Sequence, residues 1–264
     1  MLSLDDITYS RDACISAFRD YYDFLTKMYL DESDIVHPPT GGWPSITTAY
    51  LRDFGKSDEV ISLLRSLPYI RHYSPGREGL EGAPYTKFAD YQQICQHPSG
   101  AADLKIVTEG EDAHTDVPAH VIGLTCGGRN NPVFLLDTEL GIVYWVECYR
   151  EIIMNPKWNA LMVLEDPCDY APENEADWRY SGPAWAVEDF FEILKDHFRM
   201  LHFVPQNGSW VTDDFLPEGK RRKGMTRMVQ DVYREHGWPD LERYRKQECL
   251  EAVEVALQRS YPDA

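Results

Sequence analysis

Two carboxylates stand side by side at Asp213 and Asp214, and a third follows at Glu218 after three intervening residues. The next charges are basic: Lys220, Arg221, Arg222 and Lys223. Carboxylates that share a pocket raise one another's pKa, so one of them can act as a base near neutrality. When ionised they bind a planar guanidinium through paired hydrogen bonds. A basic run beside them can hold a phosphate chain. The plainer reading of the same order is a capped loop before a solvated helix, because acids and bases segregate around helix ends.

A second acidic stretch runs from Glu165 to Trp178 and includes Glu173. It could ring a pocket for a cationic ligand, with Trp178 or Trp185 offering a ring face. It reads equally as an exposed connection. His114 and His120 flank Asp116 at a spacing that is awkward for a metal, and the six cysteines include no C-x-x-C pair. These thiols are expected to be free and buried, and the sequence calls for no metal and no cofactor. Phosphate-binding, dinucleotide-binding, zinc-protease and serine-hydrolase motifs do not occur. The Cys126-Gly-Gly128 turn reads as a simple reversal of the chain.

These residues need elements to position them. Cys14, Phe18, Tyr21, Tyr22, Leu25 and Met28 recur at helical spacing behind a capping Ser10. Val60, Leu63, Leu64 and Leu67 form a second stripe, capped by Ser57 and stopped by Pro68. Val187, Phe190, Phe191, Leu194, Phe198 and Leu201 form a third. Residues 226–259 hold two helices broken at Gly237-Trp238-Pro239. Strands are predicted over 121–125, 133–136, 142–146 and 161–164, with a hairpin turn at Asp137–Gly141. Residues 74–84 and 97–118 read as surface loops. Trp43, in a Pro- and Gly-rich turn, is expected to pack on the core.

The pattern predicts an α+β chain: a central antiparallel sheet packed by flanking helices, with a basic helical C-terminus from about residue 219 and a single domain over 1–264. With 43% hydrophobic and 12% aromatic residues, the 264-residue chain can bury a core. No apolar run is long enough for a membrane helix, and the N-terminus lacks a leader pattern, so a cytoplasmic protein is expected. The net charge of −18 repels nucleic acid on average and argues against DNA as a partner. Between residues 219 and 246, however, nine Lys or Arg face four acids, a local balance of +5 that could meet a phosphate backbone.

Several blocks carry a resemblance: HPPTGGWPSIT (37–47), GKSDEVISLLRSLPYI (55–70), PYTKFADYQ (84–92), HVIGLTCGGRNNPVFLLDTELGIVYWVEC (120–148), and APENEADW with AWAVEDFFEILKDHFRMLHFVP (171–205). Together they resemble a group of fungal proteins that includes the arginine-containing cyclodipeptide synthases. The resemblance implies an enzyme of secondary metabolism that joins arginine to a second amino acid and closes a diketopiperazine. Its substrates would be arginyl-tRNA and a second aminoacyl-tRNA. The family's Asp-Asp…Glu motif has its nearest local match in Asp213, Asp214 and Glu218, which would then be catalytic. Lys220, Arg221, Arg222 and Lys223 would touch RNA, and Glu173 and Trp178 would bind substrate. The chemistry is consistent with the missing motifs, since aminoacyl esters are already activated and need no ATP loop. The hairpin block also resembles the sheet of the SUKH superfamily, which implies the alternative of a non-enzymatic protein-binding module.

Overall fold

The computed structural model describes residues 2–74, 77–96, 101–111, 115–127 and 131–262. His114 and Gly128 lie outside the described residues. Helix α1 (Arg11–Met28) opens where Ser10 accepts a hydrogen bond from the Ala13 amide, and its apolar stripe is buried along its length. Helix α2 (Asp58–Ser66) is capped in the same way by Ser57. A helix absent from the sequence-based expectation follows: α3 (Ala101–Glu109) occupies part of the segment read as a loop. It is held by a buried ion pair between Glu109 and Lys56, whose ammonium also donates to the Val121 carbonyl at 2.7 Å. Gly123 lets α3 approach, because a Cβ there would lie 1.9 Å from the Thr108 carbonyl oxygen.

The central sheet is antiparallel, with strands β1 (Val121–Gly123), β2 (Val133–Asp137), β3 (Ile142–Val146) and β4 (Ala184–Ala186) in that spatial order. The β2–β3 turn is closed by Asp137, whose carboxylate accepts from the amides of Glu139 and Leu140 at 2.9 Å each. The fourth strand is a correction. Residues 161–164 make only isolated bridges, Met162 with Trp185 and Val163 with Leu2, while Ala184–Ala186 forms the ladder with β3. Three residues with two alanines give no apolar run to recognise, so β4 is visible only through its pairing.

Helix α4 (Glu173–Tyr180) precedes β4, and α5 (Val187–Arg199) follows it directly. Helix α5 lays its apolar face on α1, with Phe18 and Phe191 ring centroids 4.6 Å apart. A second hairpin, missed by periodicity, pairs β5 (Phe203–Pro205) with β6 (Val211–Asp213). Helices α6 (Met225–Glu235) and α7 (Lys246–Ser260) end the chain, separated around Gly237-Trp238-Pro239. The fold is therefore α+β, with helices around a central sheet. Its main hydrophobic cluster draws on residues from Cys14 to Val253. Trp43 packs against that cluster and donates to the Leu67 carbonyl at 2.7 Å. No helix among the described residues is long and apolar enough to cross a membrane.

Candidate functional site

The β5–β6 hairpin carries the first predicted acid at its end. Successive residues of an extended strand point to opposite sides, and Asp213 and Asp214 obey that geometry. Asp213 is buried, only 4% exposed. Its Oδ1 accepts from the amides of Phe215 and Leu216 at 2.9 and 2.8 Å, and its Oδ2 accepts from the Tyr149 hydroxyl at 3.2 Å. Asp214 turns outward, where its carboxylate meets His202 Nδ1 at 3.0 Å and Gln230 Nε2 at 3.2 Å. The expectation that the two share a pocket does not hold.

Glu218 does a third job. Helix α6 begins after Gly224, which has φ of +84° and no side chain to cap the exposed amides. Glu218 supplies the cap from the preceding loop, accepting from the Gly224 amide and, at 2.6 Å, from the Thr226 amide. Partial burial would raise its pKa, but these hydrogen bonds outweigh burial and hold it below the usual glutamate value. Lys220, Arg221, Arg222 and Lys223 lie exposed in the turn between Glu218 and Gly224 and not in a helix, so the predicted helical start near 219 moves to Met225. The turn is tied down where the Tyr261 hydroxyl donates to the Lys223 carbonyl at 2.9 Å. Among the described residues, none of these four cations has an ion-pair partner.

What surrounds Asp213 was not singled out from the sequence. The segment 81–86 runs alongside β6. The Glu81 amide donates to Ser209 O at 2.9 Å, the Tyr85 amide donates to Val211 O at 3.3 Å, and Glu81 Oε2 accepts from the Val211 amide at 2.7 Å. Two buried tyrosines, Tyr21 of α1 and Tyr29 just after its end, pin the segment, Tyr21 donating to the Gly82 carbonyl and Tyr29 to that of Glu81. Tyr85 is held in the left-handed region at φ +56°, with 42% of its surface exposed. A bulky side chain in that region marks a local strain that the surrounding hydrogen bonds must sustain, and such strain clusters at functional sites.

The tyrosine hydroxyls and carboxylates interact electrostatically as one group. Burial pushes the Tyr85 pKa up, Asp213 and Glu81 push it further, and Arg222 opposes them. Tyr149 is likewise raised by burial and then by Asp213. Burial pushes the Glu81 carboxyl up to about 7, against the hydrogen bond from Val211 and the field of Lys87. Glu81, Tyr85, Tyr149, Asp213 and Arg222 thus form a mixed cluster beside the basic turn. Two signals could have found it: Tyr85 falls inside the 84–92 block, and Glu81 is one of two acids in the glycine-rich 74–84 segment.

The other predicted substrate residues separate. Glu173 is exposed in the first turn of α4. Trp178 is buried, and its ring face is covered by the Arg179 guanidinium at 4.5 Å from the centroid. Trp185 is buried too, donating to the Trp158 carbonyl. The acidic stretch does bind a cation through acids and aromatic rings, but the cation is the protein's own Arg179. That side chain donates to Asp137 at 2.8 Å, to Tyr144 at 2.6 Å and to Glu175 at 3.0 and 2.7 Å.

The cysteines are free, as expected, but only Cys14 and Cys249 are buried, while Cys168 is exposed. Burial pushes the Cys14 thiol up to about 12 and the Cys249 thiol up to about 11, away from nucleophilic thiolate chemistry. Among the described residues, no group of three His, Cys, Asp or Glu could hold a metal ion. Comparison of the chain with protein-family models, with curated proteins and with solved structures finds no match.

Proposed function

We propose that the chain is an aminoacyl-tRNA-dependent cyclodipeptide synthase that uses arginine as one of its two residues, working in the cytoplasm where charged tRNA is found. One observation supports this reading beyond the resemblance. Glu81 and Asp213, carboxylates with no ion-paired cation among the described residues, group with an exposed tyrosine beside four cations that also lack an ion-pair partner there. Such a site has an acceptor for the proton of an α-ammonium, acidic groups for a guanidinium and a basic rim for the acceptor end of RNA.

Expression of the full chain in a heterologous host, followed by mass spectrometry, tests the proposal. A new arginine-containing cyclic dipeptide, absent from the vector control, is the expected result and also identifies the second residue. Soluble, folded protein with no such product counts against it. Replacing Lys220, Arg221, Arg222 and Lys223 together with Ala should weaken tRNA binding and flatten its dependence on salt. Unchanged affinity and slope would remove the turn from the RNA contact.

A second reading, a SUKH-like protein-binding module, draws on a different observation. Asp214 and Glu218 are engaged in holding the hairpin and α6, and open grooves of about 220 and 260 Å³ lie along α1 and the start of α5, away from the acids. Capture of a protein partner by a chain that makes no dipeptide would favour it.

A further inference from the structure

Of the groups around Asp213, one carboxylate is both fixed and incompletely used. Glu81 Oε2 is held by the Val211 amide at 2.7 Å and the Tyr85 amide also hydrogen-bonds the carboxylate, but no side-chain donor or ion-paired cation holds it among the described residues. The backbone beneath it is clamped by Tyr29 and by the Ser209 carbonyl. The charged and titratable groups that act on it come from several elements: Lys87 from its own loop, Tyr29 from the end of α1, just past Met28, and Tyr85, whose phenol also responds to Asp213 and Arg222. Asp213 is less available, since both of its oxygens already accept hydrogen bonds. Asp214 and Glu218 are occupied by His202 and by the start of α6.

We propose that Glu81, which no motif marks, is the general base of this site and takes the proton from the attacking α-ammonium; the assignment rests on the synthase reading above. In forming the first peptide bond the attacking nitrogen goes from ammonium to amide and so gives up two protons. Glu81 accepts the first, and the freed amine attacks the ester carbonyl carbon of the second aminoacyl-tRNA. The second proton leaves to water as the carbon–nitrogen bond is made. The carbon–oxygen ester bond breaks, and the tRNA 3′-oxygen departs with the proton that Glu81 carried, which restores the carboxylate. Burial that brings the Glu81 pKa to about 7 suits this exchange near neutrality. The Tyr149–Asp213 pair and Tyr85 are positioning residues that shape the approach.

The test uses the full chain with a total tRNA pool charged with arginine and a mixture of amino acids, assayed for cyclic dipeptide from pH 5.5 to 8.5. The wild-type rate should rise with pH and level off near 7. Glu81→Gln should lose about a hundredfold or more, the lower range expected for a general base, and its residual rate should show no break near 7. A Gln variant that keeps the wild-type rate and break would overturn the assignment and leave the synthase reading intact. Folded wild-type protein that forms no dipeptide would overturn both. If the Gln variant does not fold, Glu81→Asp decides: a loss of about tenfold with the break retained supports the role, and an unchanged rate refutes it.

Discussion

The protein contains two clusters of acids and aromatic rings, and they are finished differently. Around α4 and the β2–β3 turn, Asp137, Glu175, Tyr144 and Trp178 enclose Arg179, which is 3% exposed. Burial works against that charge, but Tyr144, Asp137 and Glu175 keep the guanidinium pKa above its ordinary value. Beside β6, Glu81, Asp213, Tyr85 and Tyr149 have no ion-paired cation among the described residues, Lys87 and Arg222 act on them only through their fields, and Tyr85 stays exposed. Composition alone cannot separate the two. The difference is whether the chain itself supplies the ion: a cluster satisfied internally stabilises the fold, and one left open is available to a ligand.

The largest expected effect lies in the closed cluster. Arg179→Met should cost about 3–5 kcal/mol in urea denaturation, because Asp137 and Glu175 would remain buried without their partner. Arg179→Lys should recover only part of this, since an ammonium cannot reproduce the forked contacts. A loss below about 1 kcal/mol for Arg179→Met would mean that water already screens this network, and the contrast with the open cluster would break.

How far the sequence foretold these clusters depends on what each element needs from its neighbours. Helices α1 and α2 are legible because their own residues supply cap and stripe, as with Ser10 before Cys14, Phe18 and Tyr21, whereas α5 is legible from its stripe, and α6 and α7 from the break between them, without a side-chain cap from the N-cap residue. Strands β2 and β3 are legible as apolar runs around a glycine turn. Strand β4 and the β5–β6 hairpin are three residues per strand and exist through pairing, which periodicity does not record. The open cluster is drawn from positions 81–85, 149, 213 and 222, and only the tertiary fold unites them. Trp178 shows the converse: a residue promising by type was claimed by its own sequence neighbour, Arg179.

A medium effect is expected at Glu218, which borders the open cluster but caps α6. Glu218→Ala should lower stability by about 1–2 kcal/mol, in the range of a lost helix cap, with α6 amides exchanging faster. Dipeptide yield per folded molecule should be unchanged. A folded variant with no product would instead make Glu218 part of the chemistry and enlarge the open site.

The smallest effect is a change of slope with pH, and it bears on the comparison most directly. Burial raises the folded Glu81 pKa to about 7 from an ordinary value of 4.5. Between those values the folded protein keeps a proton that the unfolded chain has released. The contribution is therefore complete below about pH 4.5 and is lost as pH rises through 7. Glu81→Gln has no proton to release, and its side-chain oxygen can still accept from the Val211 amide. Its stability should fall less steeply across this window, the two curves diverging by about 1 kcal/mol once solvent screening is allowed for. Urea midpoints of wild type and variant at pH 4.5, 6, 7 and 8.5 measure this. Parallel curves would mean that Glu81 titrates like a surface carboxylate, and the cluster beside β6 would then lose its poised acceptor. The expected divergence would establish that the open cluster holds a carboxylate the fold keeps without a partner charge, whereas the closed one has matched its carboxylates with Arg179.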